Sequence, residues 1–317
     1  MRSALKSWKL WFSLLLFAGL ILLIEYSYGW SSLLEAWNAI SVAELAIAVL
    51  LMLTTYLLRA LRFLDFFQSY CLPSHGSRAW LHMLRLTVIH NFFNTLLPIR
   101  SGEATFPLLM KKNFQVPITH SAPALVWLRL LDLYALLSLG LISQLALIHS
   151  AYWLLAIPAL IAPLILLPIQ NQLHSLLISR SGKATTKLAE LMTALPNESM
   201  PFLRAIAWTL TNWAIKLAVF SWLLKSFLQA IATEEKVTFS IAWMGSTTGE
   251  LSSVLPIHGI AGAGTYEAGI TAGLLPYGID SVAALAAAVN LHLFVLGSML
   301  LLTALITVLT SKIRLAS

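Results

Sequence analysis

Nine ionisable side chains fall inside stretches that are otherwise hydrocarbon: Arg100, Glu103, Arg129, Asp132, Lys216, Glu250, His258, Glu267 and His292. Three amides, Asn91, Asn94 and Asn290, accompany them. A charge in hydrocarbon is costly unless it is paired, so each of these residues implies a partner or a task. Arg100 and Lys216 carry the groups that attract phosphate. His258, His292 and the carboxylates are groups that bind and release protons within a membrane. Glu103 can pair with Arg100 or Arg129, Glu267 with His258 or His292, and Lys216 with Glu250. Arg129 and Asp132 are three apart and share a helix face, an arrangement that also suits a purely structural ion pair. Asn91 and Asn94 equally suit hydrogen bonds between helices.

The pattern around these residues occurs twice. The first copy runs His90-Asn91-Phe92-Phe93-Asn94-Thr95-Leu96-Leu97-Pro98-Ile99-Arg100-Ser101-Gly102-Glu103. The second runs Gly249-Glu250-Leu251-Ser252-Ser253-Val254-Leu255-Pro256-Ile257-His258 and on to Gly262-Ala263-Gly264-Thr265-Tyr266-Glu267. Each is a polar helical stretch, then Leu-Pro-Ile, then a basic or imidazole side chain, then Gly and Glu. Glu103 precedes Arg129 by 26 positions and Glu267 precedes His292 by 25. The helical run at 103–112 covers only ~15 Å at 1.5 Å per residue, against a bilayer core of ~30 Å. Each copy is therefore predicted to form a re-entrant hairpin, with a first repeat over about 81–148 and a second over about 238–310. Broken backbone of this kind is tolerated only where protein or water lines it. The two breaks are expected to bound a polar cavity lined by Asn91, Asn94, Asn290 and the nine ionisable residues.

The elements that must position these residues are membrane helices. Hydrophobic residues make up 59% of the 317 and charged residues 10%, with a mean hydropathy of +0.82. This excludes an ordinary soluble domain and predicts an all-α polytopic membrane protein forming a single transmembrane domain over 1–317. Six full spans are expected, at about 9–28, 42–60, 121–148, 151–169, 203–229 and 281–310; eight full spans have the same parity. Residues 9–28 resemble a signal peptide but lack a small-residue cleavage site, and read as a retained span. Arg59, Arg62, Arg78 and Arg85 mark the loop after the second span. Residues of about 170–202 form a basic cytoplasmic loop. With six spans every Lys/Arg-rich segment falls on one side, so both termini are expected in the cytoplasm and the hairpins in opposite directions. The net charge of +7 then meets lipid headgroups, not nucleic acid. Cys71 is the lone cysteine, which excludes an internal disulfide. No metal-ligand spacing and no nucleophile elbow occurs, so no metal, cofactor or catalytic residue is expected.

On these motifs the chain resembles the lysylphosphatidylglycerol synthase transmembrane-region family, the flippase-type domains of multiple-peptide-resistance proteins and their stand-alone relatives. The matching residues are Asn94-Thr95-Leu96-Leu97-Pro98-Ile99-Arg100-Ser101-Gly102-Glu103, then Arg129-Leu130-Leu131-Asp132, then Leu255-Pro256-Ile257 with Gly262-Ala263-Gly264-Thr265-Tyr266-Glu267-Ala268-Gly269. His258-Gly259-Ile260-Ala261 departs from the glycine pair usual soon after the second proline. The resemblance implies a lipid-translocating domain of a bacterial or archaeal cytoplasmic membrane whose partners are lipids, an anionic phospholipid first among them. It does not imply aminoacyl transfer, which in fused relatives belongs to a separate soluble domain. The leading expectation is a flippase-like transporter of a phospholipid or lipid-linked anionic headgroup. The alternatives are an intramembrane enzyme on lipid headgroups and a non-transporting assembly subunit, with homo-oligomerisation open in each case.

Overall fold

The computed structural model describes residues 8–149, 151–165, 199–232, 237–254 and 260–311, with Gln172, Ser175, Leu176, Ser179 and Gly182 between them; the side chains of 8–17, 74, 98–100, 199, 232, 254 and 260 are excepted. Most of the 170–202 loop, residues 255–259 with His258, and the Arg100 side chain lie outside the described residues. The described residues form helices and turns without a strand. This is the arrangement hydrocarbon favours, because a helix satisfies its own backbone hydrogen bonds.

Helix α1 covers Trp8–Ser27, α2 Trp30–Glu35, α3 Val42–Phe66, α4 Gln68–His75 and α5 Ala79–Leu96. A 3-10 turn at Pro98–Ala104 leads to α6, Thr105–Phe114, and then α7, Ile118–Ile148. After α8, Ile157–Ile161, come α9, Ser199–Ala232, and α10, Phe239–Val254. A 3-10 turn at Ile260–Gly262 precedes α11, Thr265–Leu274, and α12, Ser281–Leu309, completes the set. Among the described residues, four helices are long and apolar enough to cross a membrane: Val42–Phe66, Ile118–Ile148, Met200–Ile231 and Ser281–Leu309. The 20 residues of α1 span ~30 Å.

Two expectations need correction. The span expected at 151–169 is not one continuous α-helix where it is described. It is a 3-10 segment Tyr152–Ala156, then α8, then a 3-10 segment Ala162–Ile165. The three pieces run on as one apolar helical segment, Tyr152–Ile165; Pro158 sits in the first turn of α8, where its missing N–H is tolerated, and Pro163 falls in the closing 3-10 piece, where it removes an N–H that a continuing α-helix would use. The second span does not stop near residue 60 with Arg59 and Arg62 in a loop. Instead α3 continues to Phe66, and Arg62 is only 2% exposed.

Both hairpins stop short of crossing. Helices α6 and α11 have 10 residues each, ~15 Å apiece. Side-chain contacts fix their directions. Asp65, at the end of α3, pairs with Arg204, at the start of α9, at 2.9 Å. Arg85, near the start of α5, donates to the Thr310 carbonyl just beyond α12. The base of the first hairpin therefore shares one end of the bundle with the start of α9 and the end of α12. At the other end of α7, Ser143 donates to the Ser240 carbonyl near the base of the second hairpin. The hairpins thus enter from opposite ends. Their turns, Pro98–Ala104 and Ile260–Gly262, pack against each other, and α1 lies against both.

The second hairpin closes on glycine. A Cβ at Gly249 would lie 2.5 Å from Ile270, and one at Gly273 would lie 1.9 Å from the Thr248 hydroxyl. This is the small-residue packing that brings membrane helices into close contact.

Candidate functional site: a charged cavity where the hairpin turns meet

A cavity of about 140 Å³ lies beside the two turns. Helix α3 contributes Met52, Thr55, Tyr56 and Arg59, spaced three and four apart along one face. The end of α5 contributes Asn91, Asn94 and Thr95, α7 contributes Arg129 and Asp132, and α9 contributes Trp213 and Lys216. Glu250 and Ser253 come from α10, Ala261 and Gly262 from the turn, Tyr266 from α11, and His292, Val295 and Met299 from α12.

Asp132 is the anionic centre. Its Oδ1 accepts from Arg62 Nη1 at 2.7 Å and from Trp213 Nε1 at 2.9 Å, and its Oδ2 accepts from Arg129 Nη1 at 3.3 Å. Arg62 Nη1 also donates to the Thr209 hydroxyl at 2.8 Å. One carboxylate therefore ties α3, α7 and α9 together.

Arg129 connects this centre to the first hairpin, with its Nε 2.9 Å from Glu103 Oε1. Behind that pair, His90 Nδ1 is 3.0 Å from the Thr105 hydroxyl, which itself donates to the Gly102 carbonyl. The hydroxyl proton is thereby committed, so His90 Nδ1 is the donor. Its Nε2 is then free to accept from Arg129 Nη2 at 3.4 Å. A neutral His90 thus fits between the turn and Arg129.

The second hairpin carries its own pairs. Lys216 Nζ is 2.8 Å from Glu250 Oε2 and lies over the rings of Trp213 and Phe220. Tyr266 donates its hydroxyl to Glu250 Oε1 at 3.4 Å. Glu267 Oε2 accepts from the Gly264 N–H at 2.8 Å, and Glu267 Oε1 lies 2.6 Å from His292 Nδ1. His292 Nε2 donates to the Ala261 carbonyl at 2.9 Å. Ala261 has φ of 56°, left-handed backbone uncommon for a residue with a side chain. His292 and Glu267 share one proton, so the pair is neutral whichever of them holds it.

The nine ionisable candidates and three amides therefore fall into distinct places. Arg129, Asp132, Lys216, Glu250, His292, Asn91 and Asn94 line the cavity. Glu103 and Glu267 stand directly behind it, paired to Arg129 and His292. Asn290 is elsewhere: its Oδ1 accepts from Trp37 Nε1 at 2.7 Å and its Nδ2 donates to the Leu33 carbonyl at 3.0 Å. Two residues of helix rotate a side chain by roughly 200°, which turns Asn290 away from the face that carries His292. Arg100 and His258 fall outside the described side chains.

Sequence reasoning missed Arg59, Arg62, Tyr56, Trp213 and Tyr266. Arg59 is the most informative of them. Its Nη1 donates to Asn91 Oδ1 at 2.6 Å, and its buried Nε has no hydrogen-bond partner among the described residues. Among the described residues, no carboxylate lies within 4.0 Å of it. The available signal was the three-residue step from Tyr56 to Arg59 to Arg62 with no helix breaker before Phe66.

The fold and this site define a multi-pass helical membrane protein with a charged cavity between two broken hairpins. Residues 10–303 match the model of the family described as lysylphosphatidylglycerol synthase TM region, and the chain belongs to that family. No curated protein and no solved structure matches the chain.

Proposed function

We propose that the protein moves an anionic phospholipid, or a lipid-linked anionic headgroup, across a bacterial or archaeal cytoplasmic membrane, with the headgroup passing through the charged cavity and both termini in the cytoplasm. The guanidinium of Arg59, with no carboxylate within 4.0 Å among the described residues, carries this reading. Four cations, Arg59, Arg62, Arg129 and Lys216, face three carboxylates, Glu103, Asp132 and Glu250, among the described residues. The single surplus charge sits at Arg59, where a phosphodiester would supply the missing acceptor. Tyr56, Asn94 and Thr95 line the same space and offer neutral hydrogen bonds. The pairs on Lys216 and Arg129 are available to exchange partners as a headgroup passes. Hairpins entering from opposite ends suit a path that must open to each leaflet in turn.

The test is reconstitution into vesicles of phosphatidylglycerol and phosphatidylethanolamine, with leaflet exchange of a fluorescent phosphatidylglycerol followed by quenching from outside. Arg59→Ala is expected to slow exchange roughly tenfold or more, the scale of one lost charge-assisted hydrogen bond. Arg59→Lys, which keeps the charge, is expected to fall between the two. Wild-type exchange no faster than in protein-free vesicles, or Arg59→Ala exchange at the wild-type rate in a normally folded protein, would refute the proposal.

A further inference from the structure

We infer that the apolar groove between α1 and the second hairpin holds the acyl chains of the lipid whose headgroup enters the charged cavity; this rests on the transport reading above and deepens it. The groove measures about 750 Å³, against about 140 Å³ for the charged cavity. Gly19 and Leu23 of α1, Gly264, Ala268 and Ala272 at the second hairpin, and Leu285 of α12 form its wall. The two spaces flank the turn of the second hairpin. Gly262 lines the charged cavity and Gly264, two residues on, lines the groove. Helix α1 packs against both hairpin turns, so it stands beside the charged cavity as well as along the groove. A compact cationic compartment with a larger apolar one on the neighbouring side of the same turn matches an amphiphile with an anionic head.

The small residues of the groove are not there for helix packing. Between α10 and α11 the glycines admit direct contact, and a Cβ at Gly245, Gly249, Gly269 or Gly273 would come within 2.8, 2.5, 2.6 or 1.9 Å of the facing helix. Around Gly19 the opposite holds, because a Cβ there meets nothing within 4 Å. Small side chains on both walls with open space between them leave room for a third body. In a membrane that body is hydrocarbon chain.

The experiment uses the full chain in vesicles containing phosphatidylglycerol with a diazirine midway along one acyl chain. After illumination, labelled peptides are mapped by mass spectrometry. Labelling is expected on the segments 19–27 and 264–285 and is expected to fall several-fold in Arg59→Ala, because the chains are held in place by their headgroup. Labelling on the exposed face of α3 at Val42 and Leu50 is bulk lipid contact and serves as the internal reference. Ala272→Trp, which fills the groove, is expected to lower groove labelling and slow leaflet exchange. Gly19→Leu offers the same test from the other wall, where there is open space to receive it.

Groove labelling that stays constant in Arg59→Ala relative to the α3 reference would mean boundary lipid only and would overturn the inference. Wild-type exchange rates in both groove-filled variants would also overturn it while leaving the transport reading intact. Arg59-dependent labelling without any leaflet exchange would support the groove as a lipid site and overturn transport instead.

Discussion

Asp132→Ala is expected to destabilise the protein by about 3–5 kcal/mol, the scale seen when one member of a buried ion pair is removed. Asp132 is 3% exposed and Arg62 is 2% exposed, so water cannot replace the lost carboxylate. The substitution leaves Arg62 charged, buried and bonded only to the Thr209 hydroxyl, and it leaves the Trp213 indole N–H without its acceptor. Arg129 is affected less, because Glu103 still pairs with it. The damage falls where α3, α7 and α9 meet, which is also one wall of the cavity. Unfolding of wild type and variant in the same detergent, followed by circular dichroism, measures the difference. Arg62→Leu combined with Asp132→Leu is expected to recover much of the loss, since both charges leave together and the space is refilled with hydrocarbon. If Asp132→Ala unfolds with the wild-type protein, the carboxylate does not hold these helices together.

The sequence carried some of this site openly. Lys216 could be paired with Glu250 in advance, and Glu103 and Glu267 could each be narrowed to two partners, Arg100 or Arg129 and His258 or His292, because a lone charge in hydrocarbon demands a partner and few were within reach; the bundle brings Glu103 to Arg129 and Glu267 to His292. The breaks were legible for a different reason: proline and clustered glycine interrupt helices locally, whatever surrounds them.

Arg59 and Arg62 were hidden by a rule that usually works. Basic residues at the end of an apolar run ordinarily mark the cytoplasmic edge of a span. Here α3 runs on, because Arg62 meets Asp132 from 70 positions away and Arg59 meets Asn91 from 32 away. Only the assembled bundle reveals those distances. Asn290 failed in the other direction. Its polarity suggested the cavity, but its position on the helix turns it to the Trp37 indole instead. Residue type announced that burial needed a partner, and helix rotation decided which one.

Gly102→Ala is expected to disable transport and to cost about 1–3 kcal/mol or more of stability, as overpacking of a filled site does. A Cβ at Gly102 would lie 2.3 Å from the Phe93 carbonyl oxygen and 2.4 Å from the Asn94 Cα. Those are backbone atoms of α5, so no side-chain rotation relieves the clash. The turn must lift away from the helix. It would carry with it the Gly102 carbonyl that accepts from Thr105, and with Thr105 the hydrogen bond that orients His90. Glu103, the next residue, would lose its place beside Arg129. Asn94 and Thr95, which line the cavity just beyond the clash, would shift as well. Gly297→Ala is the matched control: it adds the same methyl group where nothing lies within 4 Å, on an exposed position that lines neither the cavity nor the groove, and it is expected to melt and transport as wild type does. The two variants are compared by thermal unfolding in detergent and by leaflet exchange in vesicles. Equal behaviour of the two would show that the first turn does not rest on α5, and the path from that turn through His90 and Arg129 to the cavity would lose its foundation.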